Sequence, residues 1–225
     1  MKRDYKIIDV CHTVHDGMIT YKGLPGPVIT DHLARDASRK VYAPGTEFQI
    51  GKIEMVANTG TYLDSPFHRY ADGTDLAGLD LYSLANLDGV VVRVVDSGSH
   101  EISSEAIKGH EVSGKAVLFH TGWDKHWRTD VYSNGSHPFL TADAAEYLAE
   151  AGAALVGIDS FNIDDTSGGN RPAHSILLGR GIPIVEHLCG LGDLPDQGFK
   201  FFAVPVKVKG MGTFPVRAFG IVSAE

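Results

Sequence analysis

An aspartate and a histidine, Asp64 and His68, stand four residues apart in the stretch Asn58-Thr59-Gly60-Thr61-Tyr62-Leu63-Asp64-Ser65-Pro66-Phe67-His68. Gly60 permits a backbone turn that a side chain would oppose, and Pro66 stiffens the exit. Such a segment holds polar side chains still against a scaffold, as a ligand-binding or catalytic set requires. The same residues also suit an ordinary surface turn, in which Asp and Ser satisfy nearby backbone amides. Two more residues join on chemical grounds: His174 follows a polar loop, and Glu186 ends the apolar run Ile182-Pro183-Ile184-Val185. A carboxylate at the end of such a run is costly to bury unless it is paired or coordinates a metal. Asp, His and Glu all ligate Zn²⁺ or Mn²⁺, and a catalytic site takes about three such ligands with a position left for water. The competing reading pairs Glu186 with a lysine or arginine and leaves His174 capping a helix.

Strands and loops must position these side chains. Residues 5–10 read as a first strand, followed by a turn at Asp16-Gly17 and a Gly/Pro-punctuated loop over 21–27 of the kind that borders a pocket. Residues 48–55 alternate apolar and polar side chains at period two, which predicts a half-buried strand leading into the central stretch. A turn-rich connection occupies 71–84. Residues 89–96 are too uniformly apolar for one wet face and predict a strand inside a sheet. A short helical segment is expected over 104–108. The strand at 115–120 delivers Thr121-Gly122-Trp123-Asp124 at its carboxyl end, where α/β proteins commonly build pockets. Trp123 and His120 equally suit a packed aromatic and a hydrogen-bonded histidine.

Thr141 predicts an N-cap, Asp143 complements the helix dipole, and the helix stops at Gly152 in the left-handed cap conformation. Strands follow at 153–159 and 182–186, separated by a polar loop over 159–171 and a short helix over 174–179. Strands at 201–208 and 216–222 close the chain. With no repeat, low-complexity tract or linker, the pattern predicts one α/β domain with a mixed sheet over residues 1–225.

The formal net charge of −8 argues against a nucleic-acid partner, which would want a basic face. No apolar run approaches the length needed to cross a bilayer, and none of signal-peptide length follows the basic start Met1-Lys2-Arg3. A cytoplasmic protein acting on a small molecule is therefore expected, without nucleic acid or membrane as partner. Two cysteines, Cys11 and Cys189, exclude a disulfide framework and read as buried free thiols. Most of the eleven histidines lie in polar loops and are expected to titrate in solvent.

The central stretch resembles the signature of the cyclase family, metal-dependent amide hydrolases that include bacterial kynurenine formamidase and isatin hydrolase. That signature reads His-x-Gly-Thr-His-x-Asp-x-Pro-x-His. The resemblance runs along nearly the whole chain. It includes Ile7-Ile8-Asp9 with His12-Thr13, Leu118-Phe119-His120-Thr121-Gly122-Trp123, and His137-Pro138-Phe139-Leu140-Thr141. It continues through Leu155-Val156-Gly157-Ile158-Asp159 and His174-Ser175-Ile176-Leu177-Leu178 to Gly181-Ile182-Pro183-Ile184-Val185-Glu186. It implies the swivelling β/β/α layered fold of kynurenine formamidase, with a mixed-sheet core, and a homodimer or tetramer.

In the family, the two leading histidines and the aspartate hold one metal, and the aspartate with a later His and Glu holds a second. Carried over residue by residue, the resemblance implies Asp64, His174 and Glu186 as metal ligands and His68 as the group that moves protons. Asn58 and Tyr62 stand where the leading histidines belong. An amide oxygen is a weak ligand, and a phenol with a pKa near 10 must lose its proton to bind well. The expectation is one Zn or Mn per subunit at most, or none. The implied activity is hydrolysis of a small amide or cyclic amide by metal-activated water, with His68 as general base and then acid and Asp64 beside it. Tyr21, Trp123 and Phe161 are expected to wall the substrate pocket. Two alternatives stay open: a non-catalytic member binding a small ligand without metal, and a metal-free enzyme using Asp64, Tyr62 and His68 for acid–base chemistry.

Overall fold

The structure is a computed structural model that describes residues 4–95 and 97–223. In chain order its first strands are β1 (Tyr5–Asp9), β2 (Val28–Leu33), β3 (Ile50–Glu54), β4 (Tyr62–Asp64), β5 (Leu87–Arg93), β6 (Glu101–Ile102) and β7 (Ala116–His120). Then come β8 (Phe139–Leu140), β9 (Leu155–Ile158), β10 (Ile184–Glu186), β11 (Gln197–Phe202), β12 (Thr213–Pro215) and β13 (Phe219–Ser223). The helices are α1 (Arg35–Ser38), α2 (Ala142–Ala151) and α3 (Pro172–Gly179), with short 3₁₀ turns between elements. The fold is a mixed α/β domain. No helix among the described residues is long and apolar enough to cross a membrane.

Nine strands make one mixed sheet in the order β1-β13-β11-β5-β7-β9-β10-β4-β12. At its centre β5, β7, β9 and β10 run parallel, and the flanking strands pair antiparallel. The apolar runs read from the sequence become these central strands because both of their faces are covered. Val90, Val92, Val117, Phe119, Val156 and Ile158 join the core that includes Leu148 of α2 and Leu177 of α3. The alternate positions Val91, Leu118 and Leu155 join a second core with Leu63, Val185 and Phe201. Gly157 sits where the layers press closest: a Cβ there would lie 2.7 Å from Leu188 and 2.8 Å from Leu118.

Several expectations need correction. Residues 48–55 do hold a strand, β3, but it is exposed along its whole length and pairs only with β2, in a ribbon apart from the main sheet. Period-two alternation specifies two faces but does not say that either meets a core. The strand expected over 201–208 is β11, which ends at Phe202: the Ala203 N–H leaves the sheet ladder for the Leu84 carbonyl, and Pro205 has no N–H to resume it. The helix after Thr141 runs as expected to Gly152, which takes φ +77°. Thr141, however, makes no side-chain cap; its hydroxyl turns to Asp143 and the Ile102 carbonyl. The end of the strand predicted over 89–96, at Asp96, lies outside the described residues.

The histidines also differ from expectation. Only His32, His68 and His100 are exposed, while His137, His174 and His187 are buried. Both cysteines are free but only partly buried, and burial pushes each thiol up to about 12.

Candidate active site and metal centre

β4 is the three-residue centre of the site, and its pairing register explains much of the chemistry. In a strand, alternate side chains share a face, so Tyr62 and Asp64 point one way while Leu63 enters the second core. Tyr62 stands opposite Glu186 on β10, and Asp64 stands opposite Thr213 on β12. Both cross-strand pairs are hydrogen bonded: Tyr62 Oη donates to Glu186 Oε2 at 2.6 Å, and the Thr213 hydroxyl donates to Asp64 Oδ1. The entry to β4 is fixed by Gly60 at φ +66°, whose N–H donates to Thr20, and by Thr61, whose hydroxyl donates to the His187 carbonyl.

The exit is equally constrained. Pro66–His68 forms a 3₁₀ turn, held by Ser65 N–H donating to the Gly212 carbonyl and Phe67 N–H to the Thr74 carbonyl. A Cβ at Gly212 would lie 2.4 Å from the His68 nitrogen, so only glycine lets that strand pass. His68 is thereby brought back over Asp64, with Nδ1 3.7 Å from Oδ1. Its Nδ1 also lies 2.8 Å from Thr213 Oγ1. Since the threonine proton goes to Asp64, Nδ1–H must be the donor in that bond. The neutral imidazole then keeps an open lone pair on Nε2.

His174 arrives from α3. Asp164, in the loop after β9, accepts from the backbone N–H groups of Ala173 and His174 at the helix start and lies 2.6 Å from His174 Nδ1. It performs the capping work of an Asp N-cap from upstream of the helix, and it fixes the His174 tautomer with Nε2 turned inward. Nε2 lies 3.7 Å from Asp64 Oδ2 and 3.8 Å from Glu186 Oε1. Burial by itself lowers the His174 pKa, but Glu186, Asp164 and Asp64 outweigh it and carry the imidazole up to about 10. Burial raises the Glu186 carboxyl, against the pull of His174.

This donor set fits a divalent cation. Asp64 Oδ2 is fully buried with no hydrogen-bond partner among the described residues; the charge facing it is the His174 imidazolium 3.7 Å away, whose inward proton a divalent cation would replace. Ligands about 2.1 Å from a tetrahedral ion stand roughly 3.4 Å apart, close to the 3.7 and 3.8 Å that separate His174 Nε2 from Asp64 Oδ2 and Glu186 Oε1. Among the described residues, the His, Cys, Asp and Glu set whose ligand atoms all lie within 4.8 Å of one another is Asp64, His68 and His174, so His68 competes with Glu186 as the third donor. The Asp164–His174 bond is the carboxylate–imidazole arrangement that orients metal-binding histidines.

Tyr62 belongs to a different network, which the sequence reading missed. Tyr62 Oη gives its proton to Glu186 and lies 2.7 Å from Tyr21 Oη, which must donate to it. Tyr21 Oη lies 3.1 Å from His187 Nε2, whose proton it accepts, and His187 Nδ1 then accepts from Tyr132 Oη at 2.8 Å. Each proton in the series Tyr132, His187, Tyr21, Tyr62 points toward Glu186. Glu186 also accepts from Ile163 N–H at 2.7 Å and has no lysine or arginine partner among the described residues. Burial, reinforced by Glu186, holds the Tyr62 phenol well above its ordinary pKa, so its proton stays on the bond to Glu186. Burial also keeps His187 neutral, and it carries this role in a left-handed backbone conformation, φ +54°.

These groups surround a cavity of about 700 Å³ lined by Tyr21, Asn58, Tyr62, His68, His174 and Glu186 among others, with Asp64 buried beside them. The structure thus unites Asp64, His68, His174, Glu186, Asn58, Tyr62 and Tyr21. Phe161 lies behind Tyr21, its ring 4.8 Å away and its carbonyl oxygen 3.1 Å from Tyr21 Oη, an alternative acceptor for that hydroxyl. Trp123 stands apart from the cavity wall, with Nε1 donating to the Tyr132 carbonyl. His120 is likewise satisfied elsewhere, 3.0 Å from Arg93. Asp164, Thr213, His187 and Tyr132 carried no local signal; only the loop after a parallel strand, a common place for site residues, pointed toward Asp164.

Residues 8–165 match the Cyclase family. The kynurenine formamidase of Bacillus cytotoxicus is 29% identical over 175 residues, covering 75% of this chain and 78% of that protein. That of Erythrobacter litoralis is 29% identical over 168 residues, 73% of each chain. Among solved structures, isatin hydrolase A from Labrenzia aggregata bound to benzyl benzoate is similar with a TM-score of 0.84 and 22% identity, over 98% of this chain and 95% of that one. A potential metal-dependent hydrolase with cyclase activity gives 0.79 and 25%, over 98% and 100%.

Proposed function

We infer the activity from the premise that this chain belongs to the Cyclase family. The reading is a hydrolase that cleaves the C–N bond of a small amide or cyclic amide with one Zn²⁺ or Mn²⁺ per subunit. The observation that carries it is the buried Asp64 Oδ2, without a hydrogen-bond partner among the described residues and facing His174 Nε2 at 3.7 Å, beside the cavity. Asp64, His174 and Glu186 would hold the ion, which would supply a bound water of lowered pKa and a positive charge beside the scissile carbonyl.

The chain's own residues do the rest. His68 takes the proton of the attacking water at Nε2 as the new C–O bond forms. It returns that proton to the leaving nitrogen as the C–N bond breaks, so no net proton is lost or gained. Thr213 keeps the required tautomer by accepting from Nδ1. Asp164 keeps His174 oriented. Tyr62 holds Glu186 Oε2 by hydrogen bond, which leaves Oε1 on the His174 side.

The test is metal content of the purified protein and of Asp64→Asn and Glu186→Gln, alongside turnover of aryl formamides and lactams. About one Zn or Mn per chain, lost in both variants together with activity, is expected. A metal-free protein after incubation with both ions sinks the hydrolase. A second reading, a pocket that binds a small ligand without metal, is favoured by one observation: Tyr62, at a position where the family signature has histidine, is fully buried and hydrogen bonded to Glu186. The homo-oligomer implied by the resemblance is supported by the exposed Val28, Ile29, Ile50 and Ile53 of the β2–β3 ribbon. A monomer by light scattering would end it.

A further inference from the structure

We propose that Asn58 reads the N–H of the scissile amide, so that the chain selects amides carrying that hydrogen over esters and N-alkylated amides. This rests on the hydrolase reading and names a specificity-determining residue for it. Asn58 lines the same cavity as His68, His174 and Glu186. It is half-buried, and its carboxamide makes no hydrogen bond among the described residues. The turn that carries it is pinned beyond it. Thr59 donates from its N–H to the Ala57 carbonyl at 2.9 Å and from Oγ1 to the Val56 carbonyl at 2.7 Å, and Gly60 N–H donates to Thr20 Oγ1 at 2.9 Å. A fixed backbone thus presents a carboxamide with nothing to bond.

The cavity's other inner carboxamide is fully used. Asn162 Nδ2 donates toward Tyr21 Oη at 3.2 Å and Glu186 Oε2 at 3.4 Å, and its Oδ1 accepts from Asp164 N–H at 2.9 Å. The remaining polar side chains of the wall also have partners among the described residues, the exposed Asn170 apart. Glu186 holds Tyr62 on Oε2 and Ile163 N–H on Oε1, while His68 and His174 are bonded through Nδ1 to Thr213 and Asp164. Arg69 donates to Ser175, and Arg171 to the Asp165 carbonyl. An amide brings one acceptor and one donor to this wall. In the hydrolase reading its carbonyl oxygen meets the cation and His68 Nε2 handles the water's proton, so the N–H is the group left without a partner. An N–H taken out of water without an acceptor forfeits a hydrogen bond. Asn58 Oδ1 is an uncharged acceptor free to take it. An ester oxygen there would set lone pair against lone pair, and an N-alkyl group would offer Oδ1 nothing, so a site built around that bond rejects both.

The experiment uses the metal-loaded protein with formanilide and phenyl formate, which differ in N–H against O at the scissile bond. Asn58→Leu is expected to cut kcat/KM for formanilide by roughly tenfold and to change that for phenyl formate by less than about twofold, with metal content and melting temperature unchanged. Asn58→Ala removes the carboxamide without filling its place; it should shift the amide-to-ester ratio equally and serves where Leu disturbs the fold. Calorimetry with oxindole, N-methyloxindole and 2-coumaranone, a chelator preventing turnover, reads the same contact without chemistry. The unsubstituted chain should bind oxindole roughly tenfold tighter than either analogue, and the Asn58 variants should bind all three alike. That result supports the Asn58 contact even where no amide is hydrolysed, which separates it from the hydrolase reading. An amide-to-ester ratio unchanged in the folded variants overturns the proposal. So does an affinity for oxindole no greater than for its two analogues, or a preference that the variants keep.

Discussion

Two buried networks meet at Glu186, and they are finished to different degrees. Around Tyr62, Tyr21, His187 and Tyr132 every proton has an acceptor, and the series ends on a carboxylate. Around Asp64 and His174 the supporting bonds from Thr213 and Asp164 are equally well made, yet among the described residues Asp64 Oδ2 has no hydrogen-bond partner, and His174 Nε2 faces it only across 3.7 Å. The first network is complete without a ligand. The second orients donors toward a point that no residue fills. Burial without hydrogen bonds is a cost that a fold retains where something else binds, so chemistry belongs to the unfinished half and structural support to the finished one.

That contrast can be broken by substitution. The largest effect is expected at His68: His68→Ala should lower kcat by roughly 10²–10⁴-fold on a confirmed amide substrate, measured at saturating metal. Equal kcat would remove His68 from the chemistry. Next comes Asp164→Asn, which keeps size but weakens the grip on His174 Nδ1. Metal affinity should fall by about 10–100-fold, measured by competition with a chelator. An unchanged affinity would make Asp164 a helix cap only.

Tyr62→Phe tests the finished half. It leaves Glu186 Oε2 short of its shortest hydrogen bond and turns the Tyr21 hydroxyl to the Phe161 carbonyl or to Glu186, so stability should fall by about 1–3 kcal/mol in denaturant unfolding, with metal content unchanged. Loss of metal at unchanged stability would show that the two networks are one. The smallest effect concerns Cys11 and Cys189, whose pKa near 12 leaves on the order of one thiolate in 10⁴ at pH 8. Alkylation of the native protein should be negligible by mass spectrometry and should leave activity unchanged, becoming complete only on unfolding.

Much of the fold was legible in the sequence. The uniformly apolar runs within 89–96, 115–120 and 153–159 are the central parallel strands, since a strand covered on both faces needs no polar alternation. The Gly152 stop of α2 and the Gly60 turn were readable because a left-handed backbone selects glycine locally. The ribbon β2–β3 was misread because alternation records two faces and nothing about what covers them. Trp123 was misplaced for a related reason: the carboxyl end of a parallel strand borders pockets in general, and the direction taken by the 3₁₀ turn after β7 decides whether its side chain reaches one.

By itself the sequence determined the types of donor and their order along the chain: a carboxylate and a histidine at 64 and 68, an imidazole at 174, a carboxylate at 186, and no nitrogen ligand at 58 or 62. Those identities bound the chemistry, because ligand type and charge are properties of single residues. Only the tertiary structure decided which donors were spoken for. The register of β4 against β10 and β12 gave Tyr62 to Glu186 and Thr213 to Asp64, and the loop after β9 brought Asp164 to His174. Hydrogen bonding is exclusive: a proton given to one acceptor is denied to another. Whether an oxygen or nitrogen is free to hold a cation therefore depends on every neighbour the fold assembles around it, residues far apart in the chain included.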